Sequence, residues 1–225
     1  MADPRENGFT LLEILVAMVI FSITLTTLYA TFRSFLTSAD LVTRDIHGQE
    51  QFRMGIQAMR ADLELIILPQ PPRYHPPGFN EDPDIFRFAA EETSVSGSFF
   101  SQLQFVSLNH LETGPGAIPG AARIHYYVHR HGNRFDLHRS DRALFSEEEP
   151  NPCTNPVLVK NIHTFSLTFT DSRGTEHKTW DSDADTFEFT IPAQVIIDIQ
   201  TTGEDDAGHQ IRTAVFLPVS RKVEK

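Results

Sequence analysis

Several groups of side chains in this sequence have the types and spacing that chemistry can use. His125, His129 and His131 share one face if Ile124 to His131 is extended, with His138 across a hairpin, and a set of imidazoles of this kind can hold zinc. Against that, His129 and His131 are one two-residue step of about 6.6 Å apart on an open sheet face, and no supporting shell accompanies them. A wet polar face is the norm for an antiparallel sheet. Asp181-Ser182-Asp183-Ala184-Asp185 begins like a calcium loop, which makes Asp181, Asp183 and Asp185 candidate ligands. The EF-hand pattern then fails, with Thr186 where the turn needs glycine and Pro192 where a bidentate glutamate belongs. An irregular calcium loop and a solvated acidic loop both stay open. Cys153 is the sole cysteine, so it forms no internal disulfide, and Pro152 and Pro156 place it in a rigid loop rather than beside an activating base. Glu91-Glu92 and Glu147-Glu148-Glu149 have no basic counterpart and read as solvated loops, while Val95-Ser96-Gly97-Ser98 reads as a flexible turn. No nucleophile elbow, phosphate loop or zinc-protease motif is present. The expectation is a protein with no catalytic site and no cofactor.

Glu13 is different, because its surroundings make it expensive. It sits at the head of an apolar run from Ile14 to Phe32 that contains no charged residue. From Phe9 to Phe32 the segment has the length of about 20 apolar residues that a bilayer core demands, with Glu13 alone against it. A carboxylate in that setting costs at least about 2.5 kcal/mol and marks a partner or a pathway. Cutting between Gly8 and Phe9 would create an amine on Phe9 that the Glu13 of a neighbouring copy can neutralise.

The elements that position these groups follow from periodicity. Beyond Phe32 the helical period continues through Phe35, Ala39, Val42, Ile46, Phe52, Ile56, Met59, Leu63 and Ile66, one apolar stripe that should pack on the chain's own globular domain and on partner helices. Asp40, Arg44, Asp45, Glu50, Arg53, Arg60, Asp62 and Glu64 lie between as the solvated face. Pro69, with Pro71 and Pro72 close behind, ends the helix at Leu68, giving a helix of roughly 60 residues and about 90 Å, which Gly48 or Gly55 can bend. The second half reads as mainly β, with strands expected at Phe99–Leu108, Val157–Thr170, Phe187–Ile191, Gln194–Gln200 and Gln210–Pro218. Its clearest hairpin turns at Gly132-Asn133, pairing His131 with Arg134, His129 with Asp136 and Tyr127 with His138. Ile124, Tyr126, Val128, Phe135 and Leu137 then form the core side. Loops are expected at Thr113–Gly120, Glu147–Asn155 and Asp181–Asp185.

With 225 residues, one head domain is expected beyond the apolar segment. A net charge of −11 with no stripe of Lys and Arg argues against a nucleic-acid partner. The expected fold class is α+β: a short amino-terminal segment at 1–8, a transmembrane helix at 9–34, its soluble continuation at 35–68, and a mainly antiparallel β head at 69–225.

Gly8-Phe9-Thr10-Leu11-Leu12-Glu13-Ile14-Leu15-Val16-Ala17-Met18 resembles the processing site of the type IV prepilin superfamily. The resemblance implies cleavage between Gly8 and Phe9 by a prepilin peptidase that also methylates Phe9, and registration of subunits in a filament by Glu13. An ordinary signal anchor has no use for the carboxylate, and a secretory signal peptide would be shorter with a small-residue cleavage site. The leader departs from a plainly basic one, with Asp3 and Glu6 beside Arg5, so orientation rests on the resemblance. Tyr126-Tyr127-Val128, Phe135-Asp136-Leu137-His138-Arg139, Phe169-Thr170-Asp171-Ser172-Arg173-Gly174, Trp180-Asp181 and Ile191-Pro192-Ala193-Gln194-Val195-Ile196-Ile197 are similar to the J-type minor pseudopilins of type II secretion. That similarity implies a single-pass subunit of the bacterial inner membrane with its head in the periplasm. The implied partners are the I- and K-type minor pseudopilins, the major pseudopilin and the exported proteins. A minor pilin of a type IV pilus or DNA-uptake filament is the near alternative, and a membrane-tethered, metal-dependent enzyme or binding protein the distant one.

Overall fold

The computed structural model describes residues 10–78, 81–110, 120–144, 155–202 and 208–221. The fold is α+β, a long amino-terminal helix α1 (Leu11–Glu64) followed by strands that pair antiparallel throughout. The chain forms two compact units, Met1–Gly48 and Gln49–Lys225, so the last turns of α1 belong to the head.

In the first unit, Leu11–Leu36 is apolar and long enough to cross a membrane. Its large side chains, from Leu11 to Leu36, are all exposed, a surface that water does not tolerate on this scale. Five of the hydroxyls along it are satisfied from within. Ser22, Thr24, Thr26, Thr27 and Thr31 donate to the carbonyls four residues back at 2.7–2.9 Å, so none presents an unpaired polar group to hydrocarbon.

The second unit is built by two sheets and the end of α1. Strands β1 (Ala89–Val95), β2 (Ser98–Ser107), β3 (Ala122–His131), β4 (Arg134–Ala143), β5 (Val157–Val159) and β8 (Trp180–Asp181) form one sheet in the order β5-β4-β3-β2-β1-β8. The other has β6 (Ile162–Thr170), β7 (Glu176–His177), β9 (Gln194–Thr201) and β10 (Gln210–Phe216) in the order β10-β9-β6-β7. Alternation sets the inner faces: Leu103, Phe105, Ile124, Tyr126 and Leu137 from the first sheet and Phe165, Leu167, Phe169, Val195, Ile197 and Ile199 from the second are buried in one core. Phe52, Ile56, Met59 and Leu63 of α1 complete it. Phe35 is 69 % exposed, and the side chains of Val42 and Ile46 lie outside the described residues. Among the described side chains of the expected stripe, Phe52 is the first that is buried.

Several expected boundaries move, each for a physical reason. The helix ends at Glu64, not Leu68, because the backbone of Ile66 bridges Ser107 and Ile67 donates to the Val106 carbonyl at 2.9 Å, so β-branched residues extend the sheet instead. The expected strand Val157–Thr170 is two strands in different sheets, divided at Asn161, whose φ is +56°. Phe187–Ile191 is no strand: Asp185–Phe187 makes a 3-10 turn, Glu188 and Phe189 take φ of +53° and +54°, and Phe187 stacks on Trp180 at 4.4 Å. Asp181, expected to open a loop, instead ends the short strand Trp180–Asp181, and Glu91-Glu92 lies on β1. Ser96 and Gly97, both at positive φ, close the two-residue β1–β2 turn. Gly48 and Gly55 are both helical.

Candidate functional site

Glu13 lies in the first turn of α1, and the chain supplies its first partner. Its Oε2 accepts from the Thr10 backbone N–H at 2.9 Å and from the Thr10 hydroxyl at 3.0 Å, while the Glu13 N–H donates back to Thr10 Oγ1 at 3.3 Å. This is a capping box, and it satisfies donors that the start of a helix leaves open. Thr10 carries the other half of the site, and its spacing of three from Glu13 is the sequence signal for it. Both residues are exposed, so the remaining carboxylate oxygen is available to a cation from outside the chain. Gly8 and Phe9 lie outside the described residues.

A second polar centre fixes the end of α1 in the head. Asp62, placed by periodicity on the solvated face, is fully buried, as is Arg139 on β4. Arg139 donates to Asp62 from Nε at 2.7 Å and Nη2 at 3.1 Å, to Asp141 from Nη1 at 2.6 Å, and to the Asn109 carbonyl at 2.8 Å. Tyr126 and Asn109 also donate to the Asp62 carboxylate. His110 Nδ1 lies 2.6 Å from Asp141, and Ser107 donates to the Asp62 carbonyl at 2.8 Å. Burial alone would draw the Arg139 guanidinium down, but the carboxylates of Asp62 and Asp141 outweigh it and hold it charged. Burial, reinforced by Asp62, pushes the Tyr126 hydroxyl well above its ordinary range.

The histidines do not converge on a point. His125 stacks on Tyr127 at 5.0 Å and Tyr127 on His138 at 5.5 Å, with His129 edge-on to His138 at 5.9 Å. The rings form a ladder along the outer face of β3 and β4, while His131 sits at the turn opposite Arg134. Burial lowers the His125 imidazole. Among the described residues, no group of three or more His, Cys, Asp or Glu side chains is arranged to hold a metal.

The acidic stretch is partnered within the chain. Asp181 takes a bidentate contact from Arg87 at 2.8 Å for each bond. Asp183 accepts from the Asp84 N–H at 2.9 Å. Asp185 begins the 3-10 turn, and Arg221 lies with its guanidinium 3.1 Å above the Tyr74 ring, its Nε donating to the Phe189 carbonyl. Burial raises Asp183, whereas at Asp181 burial is outweighed by Arg87 and the carboxyl lies below its usual range. Sequence reasoning did not find Arg87 and Arg221, which stand 94 and 39 residues from their partners Asp181 and Ser182. Cys153 and Glu147-Glu148-Glu149 lie outside the described residues.

The amino-terminal apolar helix thus carries a capped glutamate in its first turn, and comparison gives that arrangement a class. Residues 3–29 match the family described as the prokaryotic N-terminal methylation motif. No curated protein matches the chain. The amino terminus is thus of the prepilin type, which supports a pilin- or pseudopilin-type protein anchored by one membrane pass, processed by a prepilin peptidase and assembling with other pilin-like subunits.

Proposed function

We propose that this chain is a J-type minor pseudopilin of type II secretion, a structural rather than catalytic subunit that joins I- and K-type partners at the tip of a periplasmic pseudopilus. The observation that carries the reading is Glu13, capped by Thr10, at the head of an exposed apolar helix whose other end is locked into a β head. The order of β6, the Asp171–Gly174 turn, Trp180-Asp181, and the Ile191-Pro192 approach to β9 supports the J type over a type IV pilus subunit. In this mechanism the prepilin peptidase cuts between Gly8 and Phe9 and methylates Phe9. The Phe9 amine of one subunit then meets the Glu13 carboxylate of its neighbour, and the exposed apolar helices pack together. The major pseudopilin follows beneath, and the fibre acts on exported proteins with the heads in the periplasm.

Replacing Glu13 tests the reading, because Glu13→Val removes the charge and leaves the apolar segment longer. The variant should be processed and found in the membrane fraction, yet absent from complexes captured with its partner subunits. Normal capture of Glu13→Val would end the proposal.

A further inference from the structure

The two sheets end on very unequal strands. β7 and β8 have two residues each and β5 has three, short edges of the kind that resist pairing, whereas β10 runs seven residues at the end of the second sheet. It pairs with β9 on one side and with no described strand on the other. At the two ends of that pairing Leu217 donates to the Ala193 carbonyl and Thr201 to the His209 carbonyl. Antiparallel bonding alternates along the register, so the backbones of Ile211, Thr213 and Val215 bond to β9. The N–H and C=O groups of Gln210, Arg212, Ala214 and Phe216 therefore point sideways, away from β9. Natural edges are blunted by proline, lysine, a bulge or an inward charge, and β10 contains none of these. Its register is unbroken, and its one charge, Arg212, lies opposite Asp198 of β9 on the outer face. Its inner residues Ile211, Thr213 and Val215 are all β-branched, with Val215 buried in the head core and Ile211 packed against it.

We propose that β10 is a self-association edge, pairing antiparallel with the β10 of a second copy of this chain about a two-fold axis at Thr213. That register joins outward-pointing groups to outward-pointing groups, Gln210 to Phe216 and Arg212 to Ala214, each twice, for about eight backbone hydrogen bonds. On the inner face it sets Ile211 against Val215 and Thr213 against Thr213, β-branched pairs that suit an antiparallel sheet. On the outer face the Gln210 stem covers Phe216, which is 73 % exposed, and no like charges stand directly opposite. Sliding the mate by two residues one way sets Arg212 against Arg212; the other way brings Gln210 against Pro218, which has no N–H to give. Before β10 the sequence carries Glu204, Asp205 and Asp206 and after it Lys222, Glu224 and Lys225, all outside the described residues. An antiparallel mate sends the acidic end of one copy toward the lysine-bearing end of the other, whereas a parallel mate sets acid against acid. The inference does not depend on the filament reading.

The test uses the full chain in detergent. Size-exclusion chromatography with light scattering should give the protein mass of two chains. Ala214→Pro removes an outward N–H that β9 does not use, so it should weaken association by about tenfold or more while thermal unfolding shows the head intact. In a Cys153→Ser background treated with glutathione disulfide, Thr213→Cys sets two thiols directly opposite in the closer of the two antiparallel spacings, with Cβ atoms about 4.5–5.5 Å apart. It should give a disulfide-linked dimer, whereas Thr168→Cys, on β6 inside the sheet, should not. Should Ala214→Pro unfold the head, the cross-link decides. A monomer at every concentration, a dimer indifferent to Ala214→Pro, as pairing through the apolar helix would give, or equal cross-linking of Thr213→Cys and Thr168→Cys would overturn the proposal.

Discussion

Single residues carry the two polar centres, and each has a distinct energetic logic. Glu13 is capped by Thr10 at the head of a membrane-length apolar helix, so its local partner lowers the cost of residence there. Asp62 is the opposite case, fully enclosed and answered by Arg139, Tyr126 and Asn109. Asp62→Ala leaves Arg139 buried beside a lost partner and should cost about 3–5 kcal/mol, read by urea denaturation in detergent through Trp180 fluorescence. The double replacement Asp62→Leu with Arg139→Met should recover only part of that loss, because it removes the buried charge pair but takes a partner from the Tyr126 hydroxyl, the Asn109 amide and Asp141. Tyr74 gives a pH dependence. Burial lifts its hydroxyl to about 12, against the pull of Arg221 and with help from Asp183 and Asp84. The folded state keeps a proton that the unfolded chain releases near pH 10, so this contribution is complete below about pH 10 and lost as the pH rises through about 12. Tyr126 acts in the same direction. The urea midpoint should fall across that window, less steeply in Tyr74→Phe; a midpoint that rises would contradict the assignment.

At the scale of elements, what the sequence discloses depends on how local the determining contacts are. The β3–β4 hairpin has the register that a two-residue Gly132-Asn133 turn dictates, with His131 opposite Arg134 and Tyr127 opposite His138. Thr10 and Glu13 are equally local, three residues apart. Asp62 and Arg139 are 77 residues apart, so no periodicity on α1 discloses that this one acid on its polar face points inward. The end of α1 is set by pairing with β2, and the split at Asn161 by two sheets competing for one β-rich run, both tertiary effects that override propensity. Gly55 shows how close the packing is. A Cβ there would lie 2.8 Å from Val159 Cγ2 and 3.1 Å from the Leu158 carbonyl oxygen. Gly55→Val should destabilise the head by about 1–3 kcal/mol through overpacking, despite the gain from removing a helical glycine. An unchanged denaturation midpoint would show that β5 yields freely.

For the whole molecule, one helix serves two environments. Leu11–Leu36 offers an apolar surface on which five hydroxyls are internally bonded, suited to lipid, while the same helix from Phe52 onward is part of the head core. The Asp62 network and the Gly55 contact tie that end to both the first sheet and its edge strand. The proposed role of such a chain is to join other subunits at a filament tip. The most direct test of that account coexpresses the full chain with the I- and K-type minor pseudopilins of the same genome and their prepilin peptidase. Detergent extracts are then sized by chromatography with light scattering. The account predicts one complex containing all three processed chains. A folded, processed chain that elutes alone, binding neither partner, would contradict it.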